Sequence, residues 1–443
     1  MMMKRALLLS GLCLSLGVTA CSDGWWGESD DKTPLPGNRV AVLDFEKDLR
    51  PDETTAAPFA SDEMWQNDSW PQAGGVPSHA MGNLALSSKA LQKVFTVDIG
   101  EGSRSRLPLT VQPVVAGKSL FTLDTDATLS AFSTEDGKRR WSVEVRDLEE
   151  EDPVISGGIA VSEGFVYVTA GYDELLKVDA AKGEIVWRVA LTSPSRAAPT
   201  VIGGRVFVTT MSNSVLAINT ADGKVQWEFS ALAQSTGLIG AASPAATNDL
   251  VVPVFSSGEI YAVRAGNGSV AWSDNLSSAV RLGGMTALSD IRGLPVIDGN
   301  IVYAISFGGK IAAIDMLTGA RVWQKDISGA KTPWIAGNRL FLISSESQIV
   351  ALDKGKGSVI WVSQLAKFKN KEKKEGPIVW SGPLMAGGRL LAFSTDGRVA
   401  EINPENGTLV REWESGKDVR ISPIIAGATL YILGENGDLT AYR

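Results

Sequence analysis

The chain has 443 residues, 44% of them hydrophobic, with a formal net charge of −8 and a mean hydropathy of +0.05. That balance fits a protein with a buried core and excludes an ordinary nucleic-acid binder, which needs a basic face. The only cysteines are Cys13 and Cys21 and the only histidine is His79. The body of the chain therefore lacks the residues for a disulfide, a thiolate nucleophile, a cysteine zinc site or a two-histidine metal site.

The first element is an address. Lys4 and Arg5 precede an apolar run over residues 6–18, and small residues follow it. A charged start, a short apolar core and a small-residue end describe a secretory signal over residues 1–20. The run is shorter than the roughly 20 residues needed to span a bilayer. The stretch "VTAC", residues 18–21, resembles the lipobox of bacterial lipoproteins. The resemblance implies cleavage before Cys21 and lipidation of that cysteine, and several acyl chains on one residue make a stable anchor. Ser22 rather than an aspartate follows it, which by the same resemblance implies the outer membrane.

Residues 22–63 carry eleven acidic and four basic side chains and several prolines. With Cys21 they read as a flexible acidic tether over residues 21–63. Within it "RVAVLDF", residues 39–45, has the alternation of a short strand that adds to a sheet edge. His79, in "GGVPSHAMGN", reads as a loop residue.

From there a repeat takes over. Units open on forms such as "APTVIGGRVFVTT" and "LPVIDGNIVYAIS" and run into turns such as "AAIDMLTGARVW" and "VALDKGKGSVIW". Tryptophans close the units at Trp141, Trp187, Trp227, Trp272, Trp323, Trp361 and Trp413, about 45 residues apart on average. Six have a glycine four residues earlier: Gly137, Gly183, Gly223, Gly268, Gly319 and Gly357. The seventh departs, with Gly407 six residues before Trp413. Short alternating runs between Gly, Asn and Asp turns are antiparallel hairpins, and four strands per such period make a propeller blade. The last unit, "SPIIAGATLYILGENGDLTAYR", lacks a fourth strand, while "LQKVFTVDI", residues 91–99, matches one with Phe95 in the tryptophan position. The expected fold is all-β: residues 64–443 form an eight-bladed propeller of four-stranded antiparallel blades, closed by an N-terminal strand that removes the open edge. The tryptophans are expected to pack between blades and the glycines to make turns.

The repeat resembles the eight-bladed propellers of quinoprotein alcohol dehydrogenases, whose recurring motif matches "AAIDMLTGARVW". An enzyme of that kind implies a calcium site, an aspartate base, a cation near the quinone and, in many members, adjacent cysteines. The cysteine pair is absent. Asp290, Asp298 and Asp315 are available carboxylates, but the last two sit in repeat turns, and about 44 residues per blade leave little room for active-site insertions. Fold alone does not fix function. The combination of lipobox, tether and propeller resembles more closely the lipoprotein family that forms the B component of the outer-membrane β-barrel assembly machinery. That resemblance implies a non-catalytic scaffold without cofactor or metal, anchored on the periplasmic face of the outer membrane of a Gram-negative bacterium. It docks on the POTRA domains of the BamA-like barrel insertase and assists insertion of barrel proteins, unfolded ones included. The alternatives are a quinone-dependent dehydrogenase and a scaffold of another periplasmic assembly.

In that family two loops carry the partner contacts. The first corresponds to "LTSPSRAAPT", where Arg196 matches the family's arginine but the family's leucines are lost. The second corresponds to "LSDIRG", where Leu288, Ser289 and Asp290 match and Arg292 replaces a second acid. An arginine fork and a carboxylate suit strand-edge and side-chain partners, and loops on a rigid scaffold are where binding resides. Two charged insertions complete the chain, acidic over residues 146–152 and basic over residues 367–376, both expected as solvated loops.

Overall fold

The computed structural model describes residues 49–53, 57–146, 154–232, 239–277 and 290–443. Cys21, the 39–45 strand, most of the acidic loop, Leu288 and Ser289 lie outside them. Among the described residues, eight four-stranded antiparallel sheets follow one another as blades of a propeller. Blades 1 to 7 occupy residues 114–144, 158–190, 200–230, 245–275, 296–325, 334–364 and 380–414. Blade 8 takes three strands from residues 424–442 and its outermost from Lys93–Asp98, as the split repeat predicts. Phe95 pairs with Ala441, and the Gln92 N–H and Arg443 carbonyl lie 2.6 Å apart.

Each blade grades from buried to exposed. The middle strands are almost wholly buried, as in Ser214–Asn219, whereas outer strands alternate, as in Arg139–Glu144. This is the period-2 pattern of a strand with one packed face. The tryptophans and glycines form one joint between blades. In the outer-strand turn each glycine has positive φ, and a Cβ on Gly183, Gly268, Gly319, Gly357 or Gly407 would lie within 2.7 Å of the preceding blade's tryptophan ring. Gly137 meets Phe95 instead, so Phe95 fills the tryptophan place in the split blade. The glycines are therefore required twice, for φ and for close approach. The Nε1–H of Trp141, Trp227, Trp272, Trp323 and Trp361 donates to a turn carbonyl of the next blade, at 2.7–3.1 Å. Trp187 is the exception: Lys177 Nζ takes the Thr220 carbonyl at 2.7 Å, and the indole N–H is left buried without a partner.

Blade 7 departs from the expected register. Arg411, not Trp413, stands four residues after Gly407 and opposite Glu401, the place where Trp227 faces Ala217 in blade 3. Glu401, 2% exposed, is held between Arg389 and Arg411 at 2.8 and 2.7 Å. Trp413 still packs across to Tyr442 of blade 8 and donates to Glu401 at 2.9 Å.

Two N-terminal stretches are more ordered than a tether or a loop. Asp52 accepts from Lys325 Nζ at 2.8 Å and from the Val359 N–H at 2.9 Å. Asn338 exchanges hydrogen bonds with Pro58 and Ala60, and Phe59 meets Phe341 edge-on at 6.0 Å. The compact unit accordingly begins at Asp48, inside the stretch expected to be tether.

Residues 65–86 then cross the propeller axis and reach the innermost strands in turn. Asn67 bonds Ile425 and Gly427 in blade 8, Trp70 bonds Val115 in blade 1, and the Pro71 carbonyl accepts from Val161 in blade 2. Gln72 accepts from Val201 in blade 3, Pro77 from Ala246 in blade 4, and Ser78 from Ile297 in blade 5. Gly82 accepts from the Trp334 indole in blade 6, and the Leu84 N–H donates to Met385 in blade 7. This segment plugs one end of the axis. His79 is part of it: 3% exposed at φ 62°, with Nδ1 at 2.6 Å from the Pro295 carbonyl. Burial lowers its pKa to about 4.

Candidate functional site

The other end of the axis is ringed by the loops that leave each outer strand and enter the next blade's innermost strand. A proline often opens that inner strand, and a basic residue precedes it in "RAAP", "RGLP", "KTP" and "RISP", which place Arg196, Arg292, Lys331 and Arg420 on the rim.

The stretch around Arg196 is built tightly. Ser195, fully buried, donates to the Thr209 carbonyl at 2.8 Å, and the Arg196 carbonyl accepts from the Ala241 N–H at 3.2 Å. Arg196 itself is half-buried, and no described residue accepts from its guanidinium. The loops beside it carry exposed apolar side chains: Met211 at 43%, Leu232 at 70% and Ile239 at 51%. Leu232 is held by its backbone, its N–H donating to Glu259 Oε2 at 3.3 Å and its carbonyl accepting from Asn213 Nδ2 at 2.7 Å. An apolar side chain displayed on anchored backbone marks a contact surface. Sequence alone points to two of the three: Leu232 and Ile239 are apolar residues in the "SALAQSTGLIG" loop, where turn residues are expected, whereas Met211 sits in the short turn "TMSNS".

Asp290 and Arg292 lie on the rim but differ in role. Asp290 is 5% exposed and its carbonyl accepts from the Phe307 N–H at 2.9 Å. Its charge acts on Arg292, opposing the downward pKa shift that burial imposes on that guanidinium. Arg292 reaches the surface as a residue, but its guanidinium packs on the loop ahead of blade 4, where a Cβ on Gly240 would lie 3.4 Å from its Nε. Asp290 thus orients the loop while Arg196 and Arg292 reach the surface. Leu288 and Ser289 lie outside the described residues.

The rest of the molecule offers less. A cavity of about 540 Å³ lies at the opposite end of the strands, between Phe59 and blade 7; of its charged walls Arg389, Glu401 and Arg411 are already paired, and Glu405 is an exposed turn residue. Asp298 pairs with Lys354 at 2.7 Å, and Asp315 caps its own turn through Thr318 at 2.8 Å. The basic insertion is a hairpin, Phe368–Asn370 against Glu375–Pro377, rather than an irregular loop. Among the described residues no three His, Cys, Asp or Glu side chains converge as metal ligands, and no helix is long and apolar enough to cross a membrane.

Comparison with known proteins agrees with this architecture. The family model described as outer membrane protein assembly factor BamB matches residues 126–363. The outer membrane protein assembly factor BamB of Salmonella typhimurium is 30% identical over 238 residues, 53% of this chain and 60% of that protein. The match thus spans less than two thirds of that relative. The Yersinia pestis protein of the same name is 22% identical over 366 residues, 79% of this chain and 88% of its own length. Among solved structures, BamB from Moraxella catarrhalis superposes with a TM-score of 0.67 at 20% identity, over 80% of this chain and all of that one. Quinohemoprotein alcohol dehydrogenase from Comamonas testosteroni gives 0.63 at 14% identity, over 85% of this chain and 80% of that one. Both likenesses speak to the fold.

Proposed function

The chain belongs to the family of outer membrane protein assembly factor BamB, and from that premise we propose that it is a non-catalytic scaffold of the outer-membrane β-barrel assembly machinery. In this reading Cys21 is lipidated and holds the propeller at the periplasmic face of the outer membrane. The rim around Arg196, Asp290 and Arg292 docks on POTRA domains of the insertase, with Leu288 and Ser289 of the same sequence motif as further contacts, and the propeller assists barrel insertion. The observation that carries the docking surface is the exposed apolar side chains of Met211, Leu232 and Ile239 beside Arg196, Leu232 among them on hydrogen-bonded backbone. An apolar centre with arginine at its edge has the composition of a protein interface.

Titrating the chain from Ser22 onward against the POTRA array of the same organism tests the reading. Saturable binding is expected, weakened by roughly 1–3 kcal/mol in Arg196→Ala. Leu232→Ala is expected to weaken it by a similar amount, since truncating an interface anchor removes buried apolar area. Binding that neither change affects keeps the partner and discards the surface. No binding, together with alcohol oxidation by the calcium- and quinone-treated protein, overturns the scaffold reading in favour of the dehydrogenase.

A further inference from the structure

Three cations from three different loops meet on the rim: Arg292 ahead of blade 5, Lys331 ahead of blade 6 and Arg420 ahead of blade 8. The loops touch. A Cβ on Gly293 would lie 2.7 Å from the Lys331 carbonyl, and the Leu294 N–H donates to Thr332 Oγ1 at 3.0 Å. Lys331 Nζ is fixed on neutral oxygens, the Ser381 hydroxyl and the Arg420 carbonyl, each at 3.1 Å. Ser381 is fully buried and donates in turn to the same carbonyl at 2.6 Å. Two of the three ammonium donors are thereby used and one remains.

Each guanidinium has a carboxylate near it, and the lysine has none. Arg420 Nε lies 3.3 Å from Glu435 Oε2, the one described ion pair of the cluster, and Asp290 acts on Arg292 from below. Lys331 has no carboxylate within ion-pair distance among the described residues. Burial, and then the like charges of Arg292 and Arg420, bring the Lys331 pKa down to about 7 against the pull of Glu435. Burial also raises Glu435, with Asp418 adding to the rise. A lysine without a carboxylate, repelled by the charges of Arg292 and Arg420 on an axis plugged at its far end, is a preorganised receptor for negative charge, because the protein has already met the cost of gathering the cations.

We propose that the rim between Arg292, Lys331 and Arg420 is a binding site for a small oxyanion bearing carboxylate or phosphate groups. The two guanidinium forks grip the oxyanion edges, and the free Lys331 donor supplies a point charge between them. This site shares Arg292 with the proposed docking rim, but binding of a small anion to the isolated chain does not depend on docking.

Calorimetric titration of the isolated chain with oxalate and with sulfate tests the proposal, because neither probe changes charge between about pH 6 and about pH 8.5. Oxalate stands for a carboxylate source and sulfate for a phosphate-like one. At least one is expected to bind saturably, about tenfold tighter at the lower pH, where Lys331 is charged. Lys331→Met is expected to abolish that pH dependence. Arg292→Gln and Arg420→Gln weaken binding at both pH values, and Lys224→Met, on an exposed turn elsewhere, changes nothing. In the unaltered protein, the side-chain NMR signal of isotope-labelled Lys331, assigned by its loss in Lys331→Met, should titrate near pH 7, and its pKa should move upward when the anion is added. No saturable binding by either probe, or binding that survives Lys331→Met with its pH dependence intact, overturns the site.

Discussion

His79 shows how much one position depends on its surroundings. In sequence it sits among glycine, proline and serine and reads as a loop residue. In the fold it is 3% exposed, with one ring nitrogen on the Pro295 carbonyl and Nε2 buried without a partner. Its pKa falls from 6.5 to about 4 because burial disfavours the imidazolium. The unfolded chain therefore takes up a proton in the acid range before the folded chain does. The stability owed to neutral His79 is present above about pH 6.5 and is lost as pH falls toward about 4, in all about 3 kcal/mol. Denaturant midpoints measured across that window should fall with pH, and the fall should be much smaller in His79→Gln. With a single histidine in the chain, equal slopes in the two proteins would remove His79 as the cause. Lys177 is the complementary case. Where most blades place alanine beneath the tryptophan, it takes the carbonyl that the indole uses elsewhere and lies 3.9 Å from the Phe165 ring centroid.

At the scale of the element, the repeated joint was legible because it is local. Gly, three residues and Trp lie within one turn and strand, and both residues do the same work in most blades. The closing strand was legible for the same reason, since Phe95 and its flanking alternation match the outer strands. Blade 7 was not: its bulge is the one the other blades carry, but Arg411 fills the tryptophan place, and what holds it there is Glu401 and Arg389 from neighbouring strands. Glu401→Gln should cost about 3–5 kcal/mol, as expected when a buried charge network loses one partner. The double change Glu401→Ala with Arg411→Trp should recover only the part of that loss owed to Arg411, by restoring the tryptophan place of blade 3, because Arg389 stays buried without its carboxylate. Thermal unfolding of the three proteins checks this, and a double variant no better than the single one would show that the joint is not interchangeable between blades.

At the scale of the whole molecule, the ring is held by two devices. Lys93–Asp98 completes blade 8, and residues 65–86 tie the innermost strands together across the axis. Each innermost strand has an edge toward the axis, and an edge without partners exposes its N–H and C=O groups. The plug satisfies those groups a bond or two at a time. Removing residues through 88 while keeping the closing strand is expected to lower the melting temperature and broaden the transition, because blades that lose a shared partner unfold less cooperatively. Trp70→Ala alone, at a side chain 1% exposed, should cost about 3–5 kcal/mol. An unchanged melt in both would deny the plug a structural role.

The sequence by itself determined the all-β class, the count of eight blades, the joint between them and the closure by an N-terminal strand. Those features are written in hydrophobic alternation and turn residues at a fixed period, and such patterns need no long-range partner to be read. Only the tertiary structure decided the plug, the burial of His79 and Asp290, the apolar display on Leu232 and the meeting of Arg292, Lys331 and Arg420. The 65–86 segment has no period because each of its bonds goes to a different blade. The cations stand as far as 89 residues from a neighbour they touch, and it is the closed ring that makes them adjacent.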